Sequence, residues 1–352
     1  MMNLQHLADD LAQDYLRTHQ SPGLAVGIVR KDTVLLRAGY GITRCGGGNP
    51  VTSRTLFHMA SVTKPFVASA VMQLVEQCRI ALDAPLVRYL PDFRLADPRG
   101  REITIAQLLT HTAGLPDVED YEWDAPQYDS EALARYMCSL SSLRLLSAPG
   151  TRFAYSDIGF NILGALIARV SGLIFEEYMA RYLLQPLGMR SSSLELQKVD
   201  STLLARPHQL DGQGQPQECK VFPYNRPHAG SSTLISNLED MIRWVRTNLG
   251  GGELDGVRVL RADSHESMCR PLIADVHPAI PRNGHIGLSW FVFQRKGVRL
   301  IGHMGQDDGF ASLLLFAPDA DLGLVAMANR SYDYAQPGLW ALHFRLLDQL
   351  SR

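Results

Sequence analysis

Strand character at both ends of the chain, with a long run of helix and loop between, is the feature that most limits the fold. Leu4, Leu7, Leu11, Tyr15 and Leu16 recur at helical spacing. Then Gly23–Val29 is a short apolar run rich in β-branched residues. Arg30, Lys31 and Asp32 make a turn, and residues 33–41 supply a second extended run, which reads as a β-hairpin. Strand character returns only at 287–293, 298–303, 311–317 and 323–328, ahead of a last helix at 339–350. The spacing between predicts helices at 65–77, 105–110, 130–139, 160–171, 174–183 and 237–249, punctuated by Gly172, Pro186 and Gly250 to Gly252. One sheet built from both ends, with the helical region inserted into it, accounts for this order. At 352 residues the chain is long enough for two domains, or for one with a large insertion.

Composition narrows the chemistry. A formal net charge of −2 gives no electrostatic reason to expect a nucleic-acid partner. Cys45, Cys78, Cys138, Cys219 and Cys269 are odd in number and include no Cys-x-x-Cys, which argues against a disulfide framework or a zinc site. Reduced thiols, the absence of a charged n-region before an apolar run, and the absence of a long apolar stretch lead to the expectation of a cytoplasmic protein without membrane insertion.

The chemistry-bearing motif is Ser61-Val62-Thr63-Lys64, at the mouth of the predicted 65–77 helix. Residues three apart share a helix face, so Lys64 can reach Ser61 and take its proton. A serine at a helix start also offers its own backbone N–H to an oxyanion. With five lysines in the chain, a chance Ser-x-x-Lys has a probability of about one in three, and the plain alternative is a helix cap. No Gly-x-Ser-x-Gly elbow, His-Glu-x-x-His helix or Gly-x-x-x-x-Gly-Lys loop offers another scheme.

Further stretches decide the matter together. They are Leu82-Asp83-Ala84-Pro85, residues 108–115 (LLTHTAGL), residues 149–157 (PGTRFAYSD), Pro186-Leu187-Gly188-Met189, Gly302-His303-Met304-Gly305 with Gly309-Phe310, and Ala328-Asn329-Arg330. With them the chain resembles the serine β-lactamase and penicillin-binding protein superfamily. Within it, the match is to the group of class C β-lactamases, D-alanyl-D-alanine carboxypeptidases, D-aminopeptidases and family VIII carboxylesterases. The resemblance implies an α+β fold: an antiparallel sheet flanked by helices, from residues 1–64 and 285–352, and a mostly helical inserted domain, 65–284. The active site would lie in the cleft between them.

By the same resemblance Ser61 is the acylated nucleophile, Lys64 its base and Tyr155 a proton relay. Backbone N–H groups of Ser61 and Gln306 form the oxyanion hole, and Asp157, His303 and Gly305 lie at the substrate. No cofactor or metal is implied, and the partner is a small ester or amide. Asp157 stands where the family has Asn, and His303 where many β-lactamases have Lys, which turns expectation away from efficient β-lactam hydrolysis. An ionised Asp only accepts hydrogen bonds, so it either suits an amine-bearing substrate or braces Lys64. A carboxylesterase on small acyl esters is the first expectation. A D-amino-acid peptidase or amidase, or an acyltransferase, comes next, and a non-catalytic peptide sensor last. His111 is expected to hydrogen-bond structurally and His58 to be scaffold. Trp290 is weighed between cleft lining and core, and Ser231 and Ser232 between a cleft loop and plain solvated serines.

Overall fold

The computed structural model describes residues 4–274, 280, 283–332 and 336–350. Helix α1 (Leu4–Thr18) leads into the hairpin β1 (Gly23–Val29) and β2 (Val34–Gly41). Strand β3 (Leu56–His58) passes through one 3-10 turn, Ala60–Val62, into α2 (Thr63–Glu76). The helical region carries α3 (Ile105–Leu109), α4 (Ala132–Ser139), α5 (Asp157–Ser171) and α6 (Phe175–Met179). A small hairpin of β4 (His208–Leu210) and β5 (Pro216–Glu218) follows, then β6 (Ile235–Asn237), which pairs with β3. Helix α7 (Leu238–Leu249), a second small hairpin of β7 (Glu253–Leu254) and β8 (Val257–Arg258), and α8 (Ala262–Met268) complete this stretch. The chain then runs through β9 (Ile273–Ala274), β10 (His285–Ile286), β11 (Phe291–Arg295), β12 (Val298–Asp307), β13 (Phe310–Ala317) and β14 (Leu322–Ala328) to α9 (Gly338–Leu350).

The two ends do form one sheet. Its order is β2-β1-β14-β13-β12-β11-β10-β9, antiparallel throughout, and Leu24 faces Ala328 where the halves join. Alternation along the strands gives it two apolar faces. Val26, Ile28, Leu313 and Leu324 meet α1 and α9, while Ala25, Val29, Leu314 and Val325 meet the helical layer. Helix α7 packs directly on β1, β13 and β14, and β9 extends the sheet edge, so parts of the 65–284 stretch serve the sheet.

The strand expected at 287–293 is interrupted. Gly287 lies so close to the Met268 carbonyl that a Cβ there would sit 2.2 Å from it, and Ser289 is left-handed at φ +75°. Of the expected span only 291–293 is strand, as the start of β11, and β10 lies ahead of it. Strand β12 instead runs past the expected 303 to Asp307, and those extra residues underlie the site.

Candidate active site

The nucleophile candidate sits in a strained turn. Ala60, fully buried, is left-handed at φ +47°, a conformation that costs a non-glycine residue on the order of 1 kcal/mol. The turn is pinned by the Thr63 hydroxyl, which donates to the Ala60 carbonyl at 2.7 Å and accepts from Leu234 N at 3.1 Å. Ser61 is thus half-exposed at the strand-to-helix junction, with Lys64 one turn on.

Lys64 is wholly buried. Its Nζ donates to Ser61 Oγ at 2.7 Å and to the Ser231 carbonyl at 3.1 Å, and pairs with Asp157 Oδ1 at 2.6 Å. Ser61 Oγ and the Ser231 carbonyl accept hydrogen bonds from Nζ, while the Asp157 Oδ1 contact is an ion pair without hydrogen-bond alignment. The Tyr155 ring lies beneath, its centroid 4.9 Å from Nζ. Ser61, Lys64, Tyr155 and Asp157 therefore meet at one point, although Tyr155 and Asp157 come from the loop and first turn leading into α5.

His111 orders that loop. Its backbone carbonyl accepts from Ala154 N at 2.8 Å, its Nδ1 accepts from Ser156 N at 3.1 Å, and its ring stacks on Tyr155 with centroids 4.2 Å apart. With Nδ1 accepting, the ring proton of the neutral form belongs on Nε2. Ser156 caps α5 by accepting from Gly159 N and donates to the Pro116 carbonyl at 2.6 Å.

Asp157 has both oxygens engaged. Oδ1 faces Lys64, and Oδ2 accepts the Tyr121 hydroxyl at 2.5 Å. Its backbone N–H donates to Asp117 Oδ1 at 2.7 Å. Burial and then the Asp157 charge push the Tyr121 phenol far above its usual range, so it stays a donor. The same two causes push the Asp117 carboxyl up to about 6. Tyr121 and Asp117 carry no motif or spacing that links them to Asp157, and no signal in the sequence singles them out.

Gly305 lies against the Ser61 turn. A Cβ at this position would be 2.3 Å from the Met59 carbonyl, 2.6 Å from Ser312 Oγ and 3.0 Å from Ser61 N. The Ser312 hydroxyl donates to the same Met59 carbonyl at 2.7 Å. Asp307 pairs with Phe310 across a two-residue turn, and Gln306 with Ala311. Counting back from the turn, the Gln306 position is a non-hydrogen-bonded pair, so its N–H points away from β13. On that side β11 stops at Gly302, leaving the edge open beside Ser61. The Gln306 side chain accepts from Tyr332 N at 3.3 Å.

His303 is buried, and its Nδ1–H donates to the Met304 carbonyl at 2.6 Å; the ring leans on Phe291. Trp290 is wholly buried against Phe316, so it is core and not cleft lining. Ser231 and Ser232 are buried as well, and it is the Ser231 carbonyl that reaches Lys64. Among the described residues no group of His, Cys, Asp and Glu is arranged to hold a metal, and all five cysteines are unpaired. No single helix among them is long and apolar enough to cross a membrane.

Protein flp of Staphylococcus aureus (strain MW2) is 25% identical over 331 residues, covering 94% of this chain and 64% of that relative, so the chain spans a little under two-thirds of its length. Penicillin-binding protein 4 of Amycolatopsis lactamdurans is 28% identical over 320 residues, 90% of this chain and 83% of its own. In fold, the D-amino acid amidase from Ochrobactrum anthropi SV3, solved with L-phenylalanine amide, superposes with a TM-score of 0.81 at 19% identity, covering 99% of this chain and 97% of that one. The Beta-lactamase family model matches residues 8–345, and the chain belongs to that family.

Proposed function

We propose that the protein is a serine hydrolase that forms an acyl-enzyme on Ser61 and acts as a carboxylesterase on small, uncharged acyl esters. The observation that carries the reading is the position of the Lys64 amine, buried and 2.7 Å from Ser61 Oγ. Family membership supports the hydrolase class.

In this scheme the lone pair of a neutral Lys64 amine takes the hydroxyl proton, 2.7 Å away, as Ser61 Oγ bonds to the substrate carbonyl carbon. The carbonyl oxygen gathers the negative charge between the N–H groups of Ser61 and Gln306. Collapse expels the alcohol, which leaves with a proton passed through Tyr155. Water, deprotonated by the same relay, then releases the acid and restores Ser61.

Two features favour a neutral ester. Both Asp157 oxygens are engaged, so it braces Lys64 and does not offer an open acceptor to a substrate ammonium. His303, buried and turned to the Met304 carbonyl, is not presented to a substrate carboxylate. The second reading, a D-amino-acid amidase or peptidase, draws support from the fold shared with the Ochrobactrum amidase.

Intact-mass analysis after fluorophosphonate treatment tests the nucleophile. One adduct on the wild type, missing from Ser61→Ala, is expected; no adduct on folded wild type refutes the hydrolase reading. Comparing p-nitrophenyl acetate and butyrate with D-phenylalanine amide separates the two substrate classes. Faster turnover of the amide by kcat/KM overturns the esterase assignment.

A further inference from the structure

The two proposed oxyanion donors lie on segments far apart in sequence. Ser61 N belongs to the turn after β3, and Gln306 N to the end of β12. Their separation depends on what ties the turn to the strand. One tie is the Ser312 hydroxyl on the Met59 carbonyl, beside Gly305. The other is an ionisable pair that the acyl-enzyme scheme does not use.

His58 ends β3, three residues before Ser61, and is wholly buried. Its Nε2 lies 2.8 Å from Asp307 Oδ2, across 249 residues of chain. Asp307 directly follows Gln306. Because side chains alternate along a strand, Asp307 and Gly305 face the same side, toward the Ser61 turn, while the Gln306 side chain faces the other. The His58 ring is flanked by Phe222 and by Phe310, the cross-strand partner of Asp307. Its backbone is fixed by pairing with Ile235 on β6. An enclosed bond of this kind resists both stretching and competition from water.

We propose that His58 and Asp307 are positioning residues for the proposed reaction. Their side-chain bond clamps β3 to the end of β12, and so holds the N–H groups of Ser61 and Gln306 at the spacing the oxyanion needs. Neither touches the reacting atoms. Because bonds to β3 and β12 act on the donors and not on the substrate's acyl or alcohol groups, loosening the clamp weakens transition-state stabilisation and spares ground-state binding. The inference rests on the acyl-enzyme reading.

The test uses the full chain and p-nitrophenyl acetate. Fluorophosphonate labelling of wild-type Ser61 comes first; its failure overturns the acyl-enzyme reading itself, before any variant is made. With labelling established, His58→Leu and Asp307→Ala are expected to slow single-turnover acylation on the order of 10²-fold, as a displacement of about 1 Å in a reacting geometry does. They should weaken an arylboronic acid transition-state analogue in parallel. Binding of the unreacted ester to the matching Ser61→Ala double variants should stay within about threefold. His58→Gln places an amide N–H where Nε2–H was, and is expected to restore acylation to within about fivefold of wild type. His58→Leu combined with Asp307→Ala should be no worse than either alone.

Thermal unfolding identifies variants that fail to fold. Should His58→Leu or Asp307→Ala be among them, Asp307→Asn, equal in shape and still an acceptor, carries the test with an expected few-fold loss in acylation and boronate affinity alike. Wild-type acylation in the folded variants overturns the proposal. So does a His58→Gln variant as slow as His58→Leu, or a loss of ester binding equal to the loss of analogue binding.

Discussion

Replacing Gly305 with alanine should separate catalysis from folding. The new Cβ would lie 2.3 Å from the Met59 carbonyl oxygen, 2.6 Å from Ser312 Oγ and 3.0 Å from Ser61 N. The first contact is about 1 Å short of van der Waals separation. Ser312 can rotate away, but only by surrendering its bond to Met59 O. The Met59 carbonyl cannot move alone, since Met59 N is tied to the Leu234 carbonyl at 2.8 Å and His58 is paired to β6. Relief therefore requires the Ser61 turn and β12 to part by about 1 Å. Such a displacement costs on the order of 10²-fold in rate, and loss of one oxyanion donor about 10²–10³-fold. Overpacking of this size costs about 1–3 kcal/mol of stability. The expected result is a folded Gly305→Ala protein, melting a few degrees low, with kcat/KM for p-nitrophenyl acetate reduced by about 10²–10³. Gly212→Ala, where a Cβ meets nothing within 4 Å, is the matched control and should be unchanged. A folded Gly305→Ala variant within threefold of wild-type kcat/KM would refute the argument that this glycine sets the distance between the two donors.

Other changes probe the network behind Lys64. Tyr121→Phe removes the hydroxyl that Asp157 accepts at 2.5 Å; a loss of about 1–3 kcal/mol in denaturant unfolding is expected, and an unaltered midpoint would count against that bond. Gly230→Ala would put a Cβ 2.2 Å from the Phe160 carbonyl and so displace Ser231, whose carbonyl accepts from Lys64. It should cost at least about 1–3 kcal/mol and lower kcat more than it raises KM, as steady-state kinetics and thermal melting will show. Asp117 gives a pH prediction. Its native carboxyl holds a proton to about 6, against 3.8 for the free side chain, so the native state binds the extra proton between those values. Its contribution to stability therefore falls as pH rises through that window and stays low above it. Asp117→Asn, which still accepts from Asp157 N, should gain on wild type by about 1–3 kcal/mol at pH 7.5 and by little at pH 4, read from unfolding at both. A gain independent of pH would remove the titration as its cause.

Much of this protein was legible before any coordinates. Ser61 and Lys64 lie one helical turn apart, so the backbone geometry of a single turn is enough to bring hydroxyl and amine together, and the structure places them 2.7 Å apart. Apolar runs at both ends predicted one sheet, and β1 indeed pairs with β14. Tyr155, Asp157, Gly305 and Gln306 were expected at the site through resemblance, whose ordered motifs stand in for distances that spacing cannot supply.

What the sequence could not decide is everything that depends on which distant surfaces meet. At the break, Leu288 N–H donates to the Met268 carbonyl and Ser289 N–H to the Leu109 carbonyl, long-range bonds absent from any local pattern. Whether Asp157 awaits a substrate amine or braces Lys64 turns on Tyr121, 36 residues away in the chain, whose hydroxyl occupies its second oxygen. That His58 meets Asp307 at 2.8 Å depends on the register of β12 against β13, which the sequence does not show. Side chains within a turn are placed by bond geometry that every helix shares. Side chains from separate segments are placed by sheet register and packing, which the chain settles only as a whole.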